Sequence, residues 1–129
     1  MSINEIRDFF KNDIFATEAT GIEIDQVSAG YSKCRFAITR QHLNATNTVM
    51  GGAIYTLADF AFAVAANYER PLTVTLTSNI SFMGVAKGSA LIAEAKCIKE
   101  GGHTTFYQVT VSDDLDNLVA TVSVSGYKK

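Results

Sequence analysis

Residues 44–67 read NATNTVMGGAIYTLADFAFAVAAN, a polar loop that passes through Gly51-Gly52 into a long apolar run. A helix that is apolar on all sides is normally a buried helix. The run therefore predicts a buried central helix that ends near Tyr68, ahead of Pro71. Its one charged residue is Asp59, and burying a carboxylate is costly unless the group is paired or used. Asp59 is the first candidate for a functional residue.

The segments on both sides of this helix alternate apolar and polar residues with the period of a β-strand. The predicted strands are residues 21–27, 31–39, 74–83, 89–99, 104–112 and 118–127, and a short amphipathic helix is predicted at residues 4–11. A hairpin is expected at Ala29-Gly30. In the last strand, Leu118, Ala120, Val122 and Val124 are predicted to share the buried face, as in an antiparallel sheet with one covered side.

The composition predicts one compact domain, residues 1–129, with 47% apolar residues and a single Pro. The formal net charge of -2 and the scattered cations argue against nucleic-acid binding. Cys34 and Cys97 are expected to be reduced, buried thiols, because the N-terminus lacks the apolar block of a secretory signal. The central run is too short to span a membrane. We therefore expect a cytoplasmic protein that does not bind membranes.

Two strands, one long helix and four strands in one small domain predict an α+β fold. A curved antiparallel sheet wrapped around the helix would cover most of its apolar surface. One sheet cannot cover the whole helix, so the remaining stripe is expected to meet a copy of itself in a homodimer.

This order of elements resembles the hot-dog fold and, more narrowly, the phenylacetate-degradation type of acyl-CoA thioesterases. That family's pattern is His-x-Asn, a Gly, His-Gly-Gly, and Leu-x-Asp within the helix. The corresponding segments here are His42-Leu43-Asn44, Met50-Gly51-Gly52 and Leu57-Ala58-Asp59, followed by NISFM at residues 79–83 and KEGG at residues 99–102. The sequence departs from the family pattern at two positions: Met50 replaces the family His, and Asn47 replaces the family Gly.

The resemblance implies hydrolysis of acyl-CoA or aryl-acyl-CoA, which needs a polarised carbonyl and either an activated water or a carboxylate nucleophile. Gly51 begins the helix, where an amide N–H lacks an intrahelical partner and where the positive end of the helix dipole lies. It is the predicted oxyanion donor. Asp59 is predicted to act as general base or as nucleophile, and both remain open. Asn44, on the preceding loop, is predicted either to hold the same carbonyl or to position the substrate. The resemblance implies that Thr75 helps to hold the attacking water.

The spacing of Gly51 and Asp59 bears on the oligomeric state. Eight residues of helix separate them by about 12 Å, so one thioester cannot touch both in a single chain. Two antiparallel helices packed side by side would bring Gly51 of one protomer opposite Asp59 of the other. The predicted site is therefore shared between two protomers, and a dimer of such dimers is expected.

Further residues are predicted to contact the substrate, among them basic and turn residues suited to the coenzyme A phosphates. They are Met50, Gly52, Phe82, Lys87, Lys99, Gly102 and His103. No metal or redox cofactor is implied, since the chain has neither a nucleotide-binding glycine motif nor Cys or His at metal-ligand spacing. Coenzyme A enters as part of the substrate.

Competing interpretations exist for the function and for single residues. Met50 removes the imidazole donor, which favours a non-catalytic acyl-CoA-binding sensor or carrier as the alternative to a thioesterase, with a hot-dog dehydratase as the weaker rival. Asp59 could instead cap a loop or pair with an Arg, and Asn44 could form an Asx turn. His42 is interpreted as a loop or surface residue rather than a base.

Overall fold

The computed structural model describes Met1–Lys129 and has the predicted α+β architecture, one antiparallel sheet curved around one long helix. The elements in chain order are α1 (Ile3–Phe10), a π-helical turn (Phe15–Ala19), β1 (Glu23–Ser28), β2 (Tyr31–Ala37), a 3-10 turn (Arg40–His42), α2 (Gly51–Asn67), β3 (Thr73–Phe82), β4 (Ala90–Glu100), β5 (Thr104–Asp113) and β6 (Leu118–Lys128). The predicted order of elements is confirmed. None of the helices combines the length and the apolar character needed to cross a lipid bilayer.

The sheet has six strands in the order β1-β2-β4-β5-β6-β3, and every neighbouring pair is antiparallel. Because β3 pairs only with β6, the strand that follows α2 lies at one edge of the sheet. Its free edge carries backbone groups with no partner strand in the chain, and apolar side chains such as Leu76 are exposed there. An edge of this kind is able to pair with another strand.

The core lies between α2 and the concave face of the sheet. Leu57, Ala61 and Val64 of the helix are fully buried, and so are Ala93 and Val109 of the sheet. Small alanine side chains on both elements let the helix approach the strands closely.

The sheet leaves one side of α2 uncovered within the single chain, as the sequence predicted. Gly52 and Asp59 are exposed, while Tyr55, Thr56 and Ala63 are only half-buried. These residues form one stripe along the helix, which we call the uncovered stripe. One curved sheet covers only part of a cylinder, so this side of α2 faces outward.

The predicted inward face of β6 is wrong at its first residue. Ser112 pairs with Leu118 but Val111 pairs with Ala120, so Val119 is an extra residue in a β-bulge. Val119 is fully buried and Leu118 is 45% exposed. A bulge changes which side of the sheet a residue faces, and strict alternation does not reveal it.

The two cysteines differ in their surroundings. Cys34 is fully buried on the concave face, and burial raises the pKa of its thiol to about 12. Cys97 is only half-buried, which corrects the prediction that both thiols are buried. Its neighbour Ile98 is the extra residue of a second bulge and is exposed.

Asp113 ends β5 and ties two loops together. Its buried carboxylate accepts hydrogen bonds from the backbone N–H groups of Lys87 (2.8 Å), Gly88 (3.1 Å), Leu115 (2.9 Å) and Asn117 (2.9 Å), and from Nδ2 of Asn117 (2.9 Å). Burial alone would raise the pKa of this carboxyl. The donors favour the charged form, so its pKa lies well below the usual range.

We expect Asp113→Ala to lower the melting temperature at pH 7 by about 5–10 °C, because five donors lose their acceptor. A lowered pKa contributes stability above the unfolded-state value, and that contribution disappears as the pH falls through the folded-state value. The difference between wild type and variant should therefore shrink below about pH 4. Thermal unfolding followed by circular dichroism measures it, with the surface variant Asp8→Ala as control. A difference that is independent of pH would contradict this role of the charge.

Candidate active site

The start of α2 presents two free amide groups. Met50 is the N-cap and provides no side-chain cap. The N–H groups of Ala53 and Ile54 donate to the carbonyl oxygen of Met50, at 3.0 and 3.2 Å, whereas those of Gly51 and Gly52 donate to no group in the chain. Two donors at the positive end of a 17-residue helix are thus available to a carbonyl oxygen.

The absence of a side chain at Gly51 has a packing reason. The ring of Phe82, at the end of β3, lies over this residue, and a Cβ there would be 3.1 Å from the ring. Gly51 and Phe82 line one cavity of about 220 Å³. The structure therefore brings together the predicted oxyanion donor and one of the predicted substrate contacts.

Asn44 stabilises the loop before the helix. Its Oδ1 accepts hydrogen bonds from the backbone N–H groups of Thr46 (2.9 Å) and Thr48 (3.2 Å) and from both of their hydroxyls. The side-chain oxygen of Asn44 therefore forms the Asx turn that the alternative interpretation predicted. The Nδ2 group is the remaining donor of this side chain. Asn47 has φ 62°, the left-handed conformation that a glycine adopts readily and asparagine tolerates.

His42 lies in the connection between β2 and α2, as predicted, but it is not a surface residue. Its ring is buried and stacked on Phe36 at 4.1 Å between ring centroids. Nδ1 accepts the backbone N–H of Thr39 at 3.0 Å, so Nε2 carries the proton and donates to the carbonyl oxygen of Thr20 at 2.7 Å. Both ring nitrogens are occupied, and no nitrogen is left to serve as a base.

His42 instead positions the helix start. Its backbone carbonyl oxygen accepts the N–H of Met50 at 2.8 Å, one residue before the free amide groups. Sequence reasoning missed this role, because a single His in a polar loop shows no periodic pattern from which its burial could be predicted.

Asp59 lies on the uncovered stripe of α2 and borders a cavity of about 370 Å³. Its carboxylate accepts no hydrogen bond within the chain and has no cation beside it, so it neither caps a loop nor forms an ion pair there. Although the side chain reaches solvent, the apolar residues around it partly exclude water and raise the pKa of this carboxyl, and the charge of Asp13 adds to the effect. The carboxylate lies in the middle of the helix and stabilises the folded chain through no hydrogen bond or ion pair of its own.

The other predicted site residues are spread over the chain. Thr75 is exposed near the start of edge strand β3 and does not border the cavity of Asp59. Met50 and Gly52 border a further cavity of about 310 Å³ together with His42. In one chain, Gly51 and Asp59 face different cavities.

The predicted phosphate contacts lie at opposite ends of the sheet. Lys87 precedes β4, whereas Lys99, Gly102 and His103 are at or beyond its other end, and an 11-residue strand is about 35 Å long. The prediction that Lys87 and Lys99 serve one coenzyme A is therefore wrong within a single chain. The ring of His103 stacks on Tyr127, with 6.4 Å between ring centroids.

Comparison with known proteins identifies the class. A family model, the thioesterase superfamily, matches residues 46–120. The chain is 33% identical over 128 residues to a putative esterase of Archaeoglobus fulgidus, covering 98% of this chain and 82% of that protein. It is 32% identical over 113 residues to the acyl-coenzyme A thioesterase PaaI of Escherichia coli, covering 86% of this chain and 79% of that protein.

The solved structure of E. coli PaaI, described as coming from the phenylacetic acid degradation operon, superposes with a TM-score of 0.85. The sequences are 23% identical in that alignment, which covers 99% of this chain and 96% of the other. This likeness confirms the hot-dog fold. The chain belongs to the thioesterase superfamily, and it is a thioester hydrolase of the phenylacetate-degradation type.

Proposed function

We propose that this protein is an acyl-CoA thioesterase whose active sites lie between two protomers. One observation carries the proposal. A single helix presents free amide donors at Gly51 and, on its uncovered stripe, the unpaired carboxylate of Asp59. The two are separated by about 12 Å, which is too far for one thioester in one chain. Acyl-coenzyme A is the substrate class named for the E. coli relative, and we extend it to this chain.

The surface of the chain supports self-association. The uncovered stripe of α2 and the free edge of β3 both lack a partner within the chain, and Leu72, Leu76 and Met83 near that edge are each more than half exposed. Two antiparallel copies of α2 would place Gly51 of one protomer opposite Asp59 of its partner. Thr75, on the edge strand, would then lie close to the partner. We further propose that such dimers associate in pairs, which light scattering of the purified protein would test.

The proposed reaction uses only side chains, backbone and water. The thioester carbonyl oxygen accepts the N–H of Gly51, with Nδ2 of Asn44 as a second donor. Asp59 of the other protomer either takes a proton from a water that attacks the carbonyl carbon or attacks that carbon itself to form an anhydride that water then cleaves. Coenzyme A leaves as the thiolate, and the acyl group leaves as a carboxylate. We propose no resident cofactor, and the free thiol of Cys34 suits work in the reducing cytoplasm.

A panel of acyl-CoAs tests the activity. Purified protein is mixed with short-chain, long-chain and aromatic acyl-CoAs, and release of the thiol is followed by a colorimetric thiol reagent. The proposal expects turnover of at least one class. Tight calorimetric binding without thiol release from any of them would favour the alternative, an acyl-CoA sensor or carrier, which the lack of an imidazole donor at Met50 suggests.

Mixed dimers test whether the site is shared. Gly51→Pro and Asp59→Asn are each expected to be inactive alone, but a dimer containing one chain of each has one intact site. Random mixing at equal amounts makes half of the dimers mixed, with one working site of two, so we expect about a quarter of wild-type activity. The chains are refolded together or co-expressed with different tags. No recovery in verified mixed dimers would show that the site is not shared in this way.

The pH dependence follows from the raised pKa of Asp59. Base and nucleophile both need the ionised carboxylate, so activity should be lost as the pH falls through this raised value, above the ordinary 3.8. We expect Asp13→Asn to shift the acid limb of kcat/KM toward lower pH, because a nearby negative charge has been removed. Asp8→Asn on α1 is the control and should not move the limb. Coinciding profiles for Asp13→Asn and wild type would contradict the electrostatic link.

A further inference from the structure

The chain's own N-terminal segment forms a wall beside the uncovered stripe of α2. The cavity beside Met50 and Gly52 and the cavity beside Asp59 both have Phe15 and Thr56 in their lining, so the two cavities adjoin. Together they form one groove along the helix, which we call the helix groove. It is bounded on one side by α2 and on the other by the segment around the π-helical turn.

The wall of the helix groove is unusually apolar for an exposed segment. Phe15 is 69% exposed and Ile14 is 56% exposed, and neither belongs to the hydrophobic core. Both border the cavity of Asp59, where Tyr55 and Phe60 provide further apolar surface. Exposed aromatic surface that is not part of the core is typical of a binding site.

The helix groove runs in a direction that could hold the acyl chain of a thioester bound at Asp59. From Asp59 to Gly52 the helix rises about 10 Å, enough to run alongside a medium-length acyl chain. The cavity volume of about 370 Å³ beside Asp59 is in the usual range for small-molecule pockets. The only charged groups in this cavity are the carboxylates of Asp13 and Asp59, so an acyl group that itself carries a negative charge would be repelled.

We propose that the acyl group of the substrate lies in the helix groove against Phe15, which makes Phe15 a specificity-determining residue for neutral, apolar acyl groups longer than acetyl. This inference rests on the proposed acyl-CoA thioesterase function and names the part of the substrate that the N-terminal segment recognises. Acyl groups that end in a carboxylate are poor substrates, because Asp13 borders the same cavity.

The test compares Phe15→Ala with Phe9→Ala. Phe9 is also a largely exposed phenylalanine, 61%, but it borders none of the three cavities that are lined by the start of α2, the Met50 N-cap or Asp59. Using acetyl-, hexanoyl- and decanoyl-CoA, we expect Phe15→Ala to raise KM about tenfold for decanoyl-CoA and progressively less for the shorter chains, because lost apolar contact weakens binding. Phe9→Ala should match wild type on all three. An effect of Phe15→Ala that is the same for every chain length would overturn the inference.

Asp13→Asn supplies an independent arm. It should improve the turnover of an acyl-CoA ending in a carboxylate relative to the neutral acyl-CoA of the same length. An unchanged ratio would contradict repulsion by Asp13.

If wild type releases no thiol from any substrate, the proposed function fails. The groove is then tested by calorimetric binding of uncleavable acyl-CoA thioethers, whose affinity should rise with chain length in wild type and Phe9→Ala but not in Phe15→Ala. Affinity independent of chain length in wild type would overturn the groove as well.

Discussion

Asp59→Asn is expected to reduce kcat/KM for acyl-CoA by about a thousandfold or more, because the amide has nearly the shape of the carboxylate but can act neither as base nor as nucleophile. The carboxylate accepts no intrachain hydrogen bond that the substitution would break. Folding and substrate affinity should therefore be retained. Thiol release measures the loss, and calorimetric titration with a substrate the variant no longer cleaves measures the affinity.

The control for this experiment is Asp8→Asn, which changes an exposed carboxylate on α1 that pairs with Lys11. It should leave kcat/KM at the wild-type value. Asp59→Asn with full activity would remove Asp59 from the proposed mechanism.

A single-turnover reaction in isotopically labelled water distinguishes the two roles open to Asp59. A general base activates water, so the first acid released carries the label. A nucleophile forms an anhydride with the acyl group, and when water attacks the Asp59 side of it, the label is found in Asp59 and not in the product. Label in the protein after one turnover would identify the nucleophile.

Gly51→Pro is expected to lower kcat by about a hundredfold to a thousandfold relative to Gly51→Ala, the usual effect of losing one oxyanion donor. Gly51 is the first residue of α2, the position where proline is best tolerated in a helix. Met50 before it has φ -63° and ψ 137°, the extended conformation that a residue preceding proline requires. The substitution thus removes the N–H group with little cost to the backbone.

Gly51→Ala is the matched control, because both variants add a Cβ close to the ring of Phe82 and only one of them keeps the donor. The comparison therefore separates crowding from loss of the hydrogen bond. Equal kcat values for the two variants would show that the N–H group of Gly51 is not the oxyanion donor.

Much of the secondary structure was predictable because it depends on local patterns. The apolar run and its glycines predict α2, and the alternation of apolar and polar residues predicts six strands. Leu118 shows the limit of this approach, since a single extra residue in a bulge reverses the face of its side chain. His42 shows another, because its burial depends on Phe36 and Thr20, which are distant in sequence.

The candidate site was predictable in its chemistry and less so in its surroundings. Free amide groups at a helix start and a lone acid in an apolar helix follow from residue types and spacing. The exposure of Asp59, its proximity to Asp13 and the wall formed by Phe15 do not, because they depend on where the N-terminal segment packs.

The sequence by itself determined that one helix carries both a free amide group at its start and an acid, eight residues apart, because the geometry of an α-helix converts spacing directly into distance. The tertiary structure decided which side of that helix stays uncovered, which cavities border it, and which predicted contacts lie too far apart to act together. Those outcomes depend on how the sheet curves and where its strands pair. Both are set by packing between residues far apart in the chain.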